Sequence, residues 1–432
     1  MKKIILKNYI TKVGAGFTPK GGKNSYFKKG TSFIRSQNVL NLNFLKESLV
    51  FINDEQSSSL SNVEVKENDI LMNITGDSIA RTCMVPNEIL PARVNQHVSI
   101  IRCNDKINSK YLLYVLHNLK SYLFKICSVG GTRDALTKDV IENLEIYIND
   151  NIIEQEKIGT FLDKIDNRIK INYKINNILN KIIKDIFNYW FLQFNFPISD
   201  GNSYKDSGGK FKFSSILKKN IPFNWRVESL SKLIKEDENG EWGEEIESKD
   251  FNKKVFCFRG ADINGLNGKE EFSPPIRFLG KNNRFSYLKE NDLILEISGG
   301  SPNQSTGRIS YITEKVLKRF QYPVICSNFC RRITLENKFM LYYFFYYWET
   351  IYNNNIFFNF EGKTSGIKNL LFELFTNTFK IPIPDNETLE RFYTICKDLD
   401  QQKQMRIIEN QHLINLRDWL IPILINGQAK LI

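Results

Sequence analysis

Apolar residues recur every three or four positions through residues 151–194, a segment with almost no glycine or proline. This heptad spacing predicts one long helix with a coiled-coil seam. The seam positions are Ile158, Ile165, Asn172, Leu179 and Ile186 on one side, and Leu162, Ile169, Asn176 and Ile183 on the other. The asparagines in the middle either fix the register of a helix pair, as buried amides do, or reflect an asparagine-rich composition.

A second helical pattern runs from Leu389 to Leu424, with a polar gap at Gln401–Gln404 that makes its seam the weaker one. The order along the chain is globular, helix, globular, helix. This order predicts two long helices that pair antiparallel, with a globular domain at each end. Their apolar surface can also contact a partner protein, and the two uses are compatible.

The globular parts repeat one another. Lys66-Glu67-Asn68-Asp69-Ile70-Leu71 recurs as Lys289-Glu290-Asn291-Asp292-Leu293-Ile294, so two copies of one domain type are expected. Short apolar runs predict strands at Asp69–Ile74, Val98–Arg102, Asp292–Ile297 and Cys330–Leu335. Each copy also has one helical stretch, Ser109–Cys127 or Lys338–Asn353, and this mixture makes the repeats α+β.

Length and charge narrow the class of protein. With 432 residues, 42% of them hydrophobic, the chain is expected to form two or three domains with proper cores. Its net charge of +12 favours a polyanionic partner, either nucleic acid or an anionic membrane surface. Seven scattered cysteines without a CxxC pair and the lack of a signal peptide favour a reduced, cytoplasmic setting. The most apolar stretch, Phe339–Trp348, is about half of a membrane span, so we expect no membrane insertion and favour a basic surface for nucleic acid.

Motifs for chemistry are missing from the sequence. It contains no glycine-rich turn for S-adenosylmethionine, no Asn-Pro-Pro-Tyr-type loop and no phosphate-binding GxxxxGK[ST] loop. The best carboxylate pair for a metal is Asp292 with Glu296, but Asn73 occupies the position of Glu296 in the first copy. We therefore interpret Asp292 as part of a turn and expect no catalytic residue or metal site.

Loops after the duplicated strand are the strongest candidates for contacts with DNA, because glycines allow close approach and hydroxyl, amide and guanidinium groups reach base edges or phosphates. An ordinary hairpin turn, or a helix cap for the loops at 130–133 and 362–368, is the alternative. The latter two loops are expected to precede helix starts, where phosphate binds well. The candidates are Arg35, Ser36, Gln37, Thr75, Gly76, Ser78, Arg81, Asn95, Gln96, Thr132, Arg133, Arg259, Ser298, Gly299, Ser301, Gln304, Ser305, Arg308, Lys363, Thr364, Ser365 and Lys368.

Several stretches resemble the specificity subunits of type I restriction-modification enzymes. Glu154-Gln155-Glu156-Lys157-Ile158-Gly159 is similar to the entry of the family's central helix. Tyr189-Trp190-Phe191 and Ser207-Gly208-Gly209-Lys210 are similar to its exit and to the segment that follows. Leu416-Arg417-Asp418-Trp419-Leu420 with Asn426-Gly427-Gln428 is similar to the C-terminal ending. The resemblance covers nearly the whole chain and rests on the order and spacing of these stretches.

The resemblance implies two tandem target-recognition domains, each of which reads half of a split double-stranded DNA site, and two conserved helices that form an antiparallel coiled coil. The expected boundaries are 1–150 and 221–386 for the recognition domains, 151–196 and 387–432 for the helices, and 197–220 for a linker. The helices are expected to dock two modification (methyltransferase) subunits, with restriction subunits joining the assembly. The expected interface residues are Ile158, Leu162, Ile165, Ile169, Leu179, Ile183, Leu399, Leu416 and Trp419.

The resemblance also implies a chain that catalyses nothing and holds no cofactor, while S-adenosylmethionine, ATP and Mg²⁺ belong to the partner subunits. Two other classes remain as alternatives. One is a stand-alone nuclease, or the recognition module of a fused restriction nuclease or methyltransferase. The other is a structural coiled-coil adaptor that binds no specific DNA.

Overall fold

The computed structural model describes residues 1–19, 21–128, 135–198, 201–268, 272–280, 287–300, 304–364 and 366–431. Two compact units are present. One comprises Met1–Lys170 with Gln411–Ile432, and the other comprises Ile171–Asn410. We call residues 1–150 the first repeat and residues 221–386 the second repeat. No helix in the described part of the chain is both long and apolar enough to cross a membrane.

In its described residues, the first repeat consists of short strands, four α-helices and several 3-10 turns. Its strands are β1 (Lys2–Ile5), β2 (Ile10–Ala15), β3 (Thr31–Ile34), β4 (Val50–Ile52), β5 (Glu64–Val65), β6 (Ile70–Asn73), β7 (Thr82–Met84), β8 (Ala92–Val94), β9 (Val98–Cys103) and β10 (Glu145–Ile148). Its helices are α1 (Asp54–Ser59), α2 (Ser109–Asn118), α3 (Lys120–Ser128) and α4 (Lys138–Glu142). The long helix α5 (Ile152–Phe187) follows, and a π-helical turn, Asn188–Leu192, extends it.

The second repeat is preceded by a hairpin of β11 (Phe211–Ser214) and β12 (Lys219–Pro222), which lies largely in the segment predicted to be a linker. Its strands are β13 (Arg226–Ser229), β14 (Ile234–Asn239), β15 (Phe251–Phe258), β16 (Ile276–Gly280), β17 (Asp292–Glu296), β18 (Ser298–Gly299), β19 (Ile309–Tyr311), β20 (Val324–Cys326), β21 (Cys330–Leu335), β22 (Glu361–Thr364), β23 (Ile367–Leu370) and β24 (Lys380–Ile383). The helices are α6 (Ile263–Leu266), α7 (Glu314–Leu317), α8 (Leu341–Asn353), α9 (Phe372–Thr378) and the long α10 (Asn386–Ile425).

The two repeats share one topology. The order β2-β9-β6-β7 in the first repeat matches β14-β21-β17-β19 in the second, and both sheets are antiparallel. A second sheet in each repeat contains one parallel pair, β3 with β8 or β15 with β20. The two terminal strands also pair in each repeat, β1 with β10 and β13 with β24. The predicted duplication and the α+β class are therefore confirmed.

A shared glycine position shows how close this correspondence is. An added Cβ at Gly16 would lie 1.9 Å from the carbonyl oxygen of Val94. At Gly240 it would lie 2.2 Å from the carbonyl oxygen of Cys326. Both glycines end the first strand of the antiparallel sheet where it passes the parallel strand. Only glycine allows the two backbones to approach this closely.

The predicted aromatic helix at 338–353 contributes to the core of the second repeat. Tyr342, Tyr343 and Trp348 are buried in α8. The indole Nε1 of Trp348 donates to the carbonyl oxygen of Gly307 at 2.8 Å. These rings pack with one another and with neighbouring aromatic side chains, so they form part of the core of the second repeat.

In the first unit, α5 is fixed to the repeat by residues of its entry motif. The Gln155 side chain is buried; its Oε1 accepts from the Asn108 backbone N at 2.9 Å and its Nε2 donates to the Asn149 carbonyl oxygen at 2.7 Å. At Gly159 an added Cβ would lie 2.8 Å from the Tyr111 backbone N, so a side chain here would push α5 away from α2. The motif is thus explained by the packing of α5.

Also in the first unit, Asp166 of α5 joins α2 to the last part of α10. Its carboxylate accepts from the Tyr114 hydroxyl at 2.6 Å and from Arg417 Nη1 at 2.7 Å. Nearby on α2, the Nδ1 atom of His117 is buried and has no hydrogen-bond partner among the described residues. Burial, followed by the charge of Arg417, lowers the pKa of His117 to about 4.

In the second unit, residues 171–187 of α5 pair antiparallel with residues 386–410 of α10 through a polar layer. Asn172 Nδ2 donates to Asn410 Oδ1 at 2.8 Å, and Asn176 Nδ2 donates to the Lys403 carbonyl oxygen at 3.3 Å. Lys403, which is 2% exposed, pairs with Asp400 at 3.0 Å. Both asparagines are buried, which supports the interpretation that they fix register. The polar gap of the second helix supplies the partner of Asn176, and Asn410, about one and a half turns further on, supplies that of Asn172.

We predict that acid destabilises the protein through His117. The unfolded chain binds a proton as the pH falls through about 6.5, whereas the folded protein keeps this ring neutral until about pH 4. The stabilising effect of the neutral ring is complete above pH 6.5. It is lost as the pH falls toward 4, by at most about 3 kcal/mol. Urea unfolding of His117→Gln between pH 7 and 4.5 should therefore show a smaller loss than the parent.

The control for this prediction is His412→Gln, a substitution at an exposed position on α10. It should keep the pH dependence of the parent protein. An unchanged pH dependence in His117→Gln would contradict the role given to the buried ring.

Candidate nucleic-acid interface

In the first repeat, the ends of several strands bring three candidate loops together. The Ile74 backbone N, just after β6, donates to the His97 carbonyl oxygen at 3.0 Å. Thr75 forms a β-bridge with Ala135. Asn73 Nδ2 donates to the carbonyl oxygen of Ser36 at 2.9 Å. The loops at 35–38, 75–81 and 95–97 therefore lie along one edge.

The second repeat forms the same edge by equivalent bonds. The Ile297 backbone N, after β17, donates to the Phe329 carbonyl oxygen at 2.9 Å. The Leu370 backbone N donates to the Ile297 carbonyl oxygen at 2.8 Å. Gly260 lies against Glu296, since a Cβ there would be 2.8 Å from Glu296 Oε1. The candidate loops are gathered in the second repeat as in the first.

Around β6 the candidates form a compact turn. Thr75 Oγ1 and His97 Nδ1 are joined by a hydrogen bond of 2.6 Å. Gly76 has φ +69° and open space beside its Cα, which favours glycine and lets another molecule approach the backbone. Ser78 and Arg81 are half-buried, and Arg81 forms no ion pair with a described residue.

Arg308, the counterpart of Arg81, is bound differently. Its Nε and Nη2 donate to the two carboxylate oxygens of Glu296 at 2.8 and 2.5 Å, and these bonds raise the pKa of the guanidinium. The side chains of Arg308 and Glu296 are 19% and 6% exposed. Two donor groups of Arg308 are therefore used inside the repeat, and its contact with DNA stays a prediction.

The loop at 362–368 was expected to precede a helix start, but it forms the β22–β23 hairpin, and α9 begins only at Phe372. This hairpin adds β18 as a third strand, with Ser298 opposite Asn369 and Gly299 opposite Lys368. The phosphate site predicted at a helix N-terminus is thus wrong here. The hairpin nevertheless brings two separately predicted loops side by side.

Glu361 fixes that hairpin to the neighbouring loop. Its carboxylate accepts from the Thr306 backbone N at 2.7 Å and pairs with Lys368 Nζ at 3.2 Å. The Lys368 side chain is only 12% exposed, so its predicted contact with phosphate is corrected to an internal ion pair. Ser305 is buried, so its hydroxyl is not exposed for the contact with DNA that was predicted for it. Gln304 stays exposed, and its Nε2 donates to Tyr352 at 3.0 Å.

Arg35 and Arg259 begin equivalent turns. The backbone N of Arg35 donates to Asn38 Oδ1 at 2.9 Å, and that of Arg259 to Asp262 Oδ2 at 2.8 Å. The guanidinium of Arg35 donates to a carbonyl oxygen, whereas that of Arg259 pairs with Asp262 and stays 41% exposed. Beside Arg35, Ser36 is half-buried and Gln37 is exposed.

The turn at 95–97 contains one internal and one exposed amide. Asn95 is 5% exposed, and its Oδ1 accepts from the His97 backbone N at 3.0 Å. Its predicted role in reading bases is corrected to turn formation. Gln96 is exposed, and its side-chain oxygen accepts from the Thr18 hydroxyl.

Some candidates cannot be placed in this geometry. Thr132, Arg133, Ser301 and Ser365 lie outside the described residues, and of Lys363 and Thr364 only the backbone, in β22, is described. Among the described side chains, no group of three or more His, Cys, Asp or Glu is arranged to hold a metal ion. Asp292 and Glu296, the best carboxylate pair in the sequence, are engaged by Lys289 N and Arg308.

The family model described as the type I restriction modification DNA specificity domain matches residues 9–181 and 222–415, which is well over half of the chain. The chain belongs to this family. The two matched segments correspond to the two structural repeats, each with part of a long helix.

Relatives of this specificity-domain protein agree with the assignment. The MjaIX specificity subunit of a type I restriction enzyme from Methanocaldococcus jannaschii is 26% identical over 356 residues, covering 79% of this chain and 73% of the relative. The HindI specificity subunit from Haemophilus influenzae is 28% identical over 166 residues, 38% of this chain and 36% of the relative. A crystal structure of the type I S subunit from M. genitalium has a TM-score of 0.56 at 13% identity and covers 98% of this chain and 96% of that chain, which shows the shared fold.

The predicted subunit interface of the specificity-domain protein needs correction. The seam residues Ile158, Leu162, Ile165, Ile169, Leu179 and Ile183 are all at most 8% exposed. They are buried within this chain, so they offer no surface to another subunit. Leu399 packs against the aromatic core, whereas Leu416 and Trp419 are 44% and 62% exposed.

We predict that Arg308→Ala lowers the stability of this specificity-domain protein strongly, whereas Arg81→Ala hardly changes it. Loss of Arg308 leaves the buried Glu296 carboxylate without its counterion and should lower the free energy of unfolding by roughly 3–5 kcal/mol. Arg81 has no such partner among the described residues. Its removal should change stability by less than about 0.5 kcal/mol. Urea unfolding of the full chain measures both, and equal losses would contradict the assignment.

Proposed function

We propose that this chain is the DNA-recognition subunit of a type I restriction-modification complex and that its two repeats read the two halves of a split, asymmetric site. The observation that carries this is the duplicated edge, whose backbone hydrogen bonds are the same while its side chains differ. Asn73 and Thr75 in one repeat correspond to Glu296 and Ser298 in the other. Backbone identity with side-chain divergence is what two related readers of different half-sites require.

Several exposed groups on these edges suit base or phosphate contacts. Gln37, Gln96 and Gln304 supply amides, and Arg259 supplies a partly exposed guanidinium. An Asn or Gln amide can make two hydrogen bonds to adenine, and Arg can do so to guanine. The net charge of +12 adds general attraction for the phosphate backbone.

The long helices are proposed to dock two methyltransferase subunits, through which restriction subunits join the complex. Each unit exposes large apolar side chains on these helices. Ile171, Ile178, Ile182 and Met405 are between 41% and 61% exposed in the second unit, and Leu416 and Trp419 are exposed in the first. Such side chains on a helix surface are typical of protein interfaces. The chain itself is proposed to be non-catalytic and to function in the cytoplasm, with S-adenosylmethionine, ATP and Mg²⁺ bound by its partners.

Methylation mapping tests the DNA-recognition role. A host that expresses this chain together with its methyltransferase subunit should acquire methylation at a split motif. The same host with the methyltransferase alone is the control and should lack that motif. If a soluble complex forms and no new motif arises, the chain is an adaptor and the proposal fails.

We predict that Trp419→Ala weakens binding of the methyltransferase subunit. A large exposed indole at an interface centre commonly contributes about 2 kcal/mol or more, roughly 30-fold in Kd. Calorimetric titration of the purified chain with the methyltransferase subunit measures the change. Tyr147→Ala removes an aromatic ring that is 60% exposed on β10 of the same unit and should leave Kd unchanged. Equal effects of the two substitutions would place the interface elsewhere.

A further inference from the structure

The turn that joins β8 to β9 lies between the other loops of the first edge. The Asn95 backbone N donates to the Ile34 carbonyl oxygen at 3.0 Å, next to the turn that Arg35 begins. Two residues later, the His97 carbonyl oxygen accepts from the Ile74 backbone N at 3.0 Å, next to Thr75. The turn at 95–97 is therefore fixed on both sides by loops proposed to contact DNA.

The turn that joins β20 to β21 occupies the same place in the second repeat. The Ser327 backbone N donates to the Phe258 carbonyl oxygen at 2.8 Å, next to Arg259. The Phe329 carbonyl oxygen accepts from the backbone N of Ile297 at 2.9 Å and of Ser298 at 3.3 Å. Ser327-Asn328-Phe329 is thus the structural counterpart of Asn95-Gln96-His97, although the two triplets differ at every equivalent position.

The three side chains of this turn differ in how far they are exposed to solvent. The first residue is buried in both repeats: Asn95 is 5% and Ser327 is 1% exposed. The second is an exposed carboxamide in both, Gln96 or Asn328. The third is a ring: His97 is half-buried against Thr75, whereas Phe329 is 46% exposed.

The exposure of Phe329 is unusual for its surroundings. The residues on either side of this short turn, Ser327 and Cys330, are almost fully buried, and the Cys330 backbone N donates to the Ser327 carbonyl oxygen at 2.8 Å. The backbone is therefore firmly held, and the phenyl ring is exposed to solvent. A fixed backbone with an exposed ring is suited to contact with an apolar feature of a ligand.

We propose that Asn328 and Phe329 read the second half-site, and that Gln96 and His97 read the first. The amide at the second turn position hydrogen-bonds to a base edge, with adenine as the natural partner. The phenyl ring of Phe329 contacts a thymine methyl group, whereas the imidazole of His97 hydrogen-bonds to its base. This inference rests on the proposed DNA-recognition function. It adds that the side chains of this one turn cause the two repeats to prefer different bases.

The test uses the full chain co-expressed with its methyltransferase subunit, with methylation mapped across the host genome. Asn328→Ala and Phe329→Ala should each reduce discrimination at one or two adjacent base pairs of the second half-site, by about 5- to 150-fold in relative methylation. The first half-site should be unchanged. Gln96→Ala should have the reciprocal effect on the first half-site only.

Phe213→Ala is the matched control, since that phenyl ring is 69% exposed but lies on β11, outside the proposed edge. It should leave the base preference of both half-sites intact. If Asn328→Ala and Phe329→Ala also leave the second half-site unchanged, or lower methylation at all sites equally, the inference is overturned while the proposed function stands. The absence of any split motif with the unaltered chain would overturn the proposed function and this inference with it.

Discussion

In each repeat, a buried aspartate lies at the start of the strand that leads to the site, just before β6 or as the first residue of β17, and its carboxylate connects the preceding turn to the neighbouring strand. Asp69 accepts from the Lys66 backbone N at 2.7 Å and from Arg102 at 2.7 Å. Asp292 accepts from the Lys289 backbone N at 2.7 Å and from the Thr334 hydroxyl at 2.6 Å. The carboxylate thus fixes one end of β6 or β17, and the loops proposed to read DNA extend from the other end.

The C-terminal ends of β6 and β17 carry different side chains on the same backbone structure. Asn73 in β6 donates to backbone carbonyl oxygens, whereas Glu296, at the same register in β17, holds Arg308. The strand register does not depend on these side chains. Arg308 can therefore pair with Glu296 in the second repeat, while Arg81 in the first repeat forms no ion pair with a described residue. The same scaffold can therefore present different side chains to two half-sites without a change of fold.

The sequence predicts the features whose cause is local. The Lys-Glu-Asn-Asp turn is recognisable because Asn68 and Asn291 have φ of 64° and 71°, a conformation that asparagine tolerates, and because the aspartate caps its own turn. The heptad spacing predicts the buried helix faces because helical periodicity is also a local property of the sequence. The pairing of Glu361 with Lys368 and Thr306, or of Glu296 with Arg308, depends on where distant strands align, so residue type alone suggested free DNA contacts. Asn328 and Phe329, which we propose as reading residues, correspond to Gln96 and His97 by strand register and by no identity of sequence.

The polar layer between α5 and α10 in the second unit shows why a weaker seam can be the more specific one. Lys403 Nζ bonds to Asp400 at 3.0 Å and to the Tyr311 hydroxyl at 2.7 Å, and Tyr311 belongs to β19 of the second repeat. Burial, followed by the charge of Asp400, raises the pKa of Tyr311, so the hydroxyl remains a donor. A shift of either helix by one heptad would leave buried amide and ammonium groups without partners, at several kcal/mol. An all-apolar seam would tolerate such a shift, so the polar residues select one register between the helices and fix it to β19.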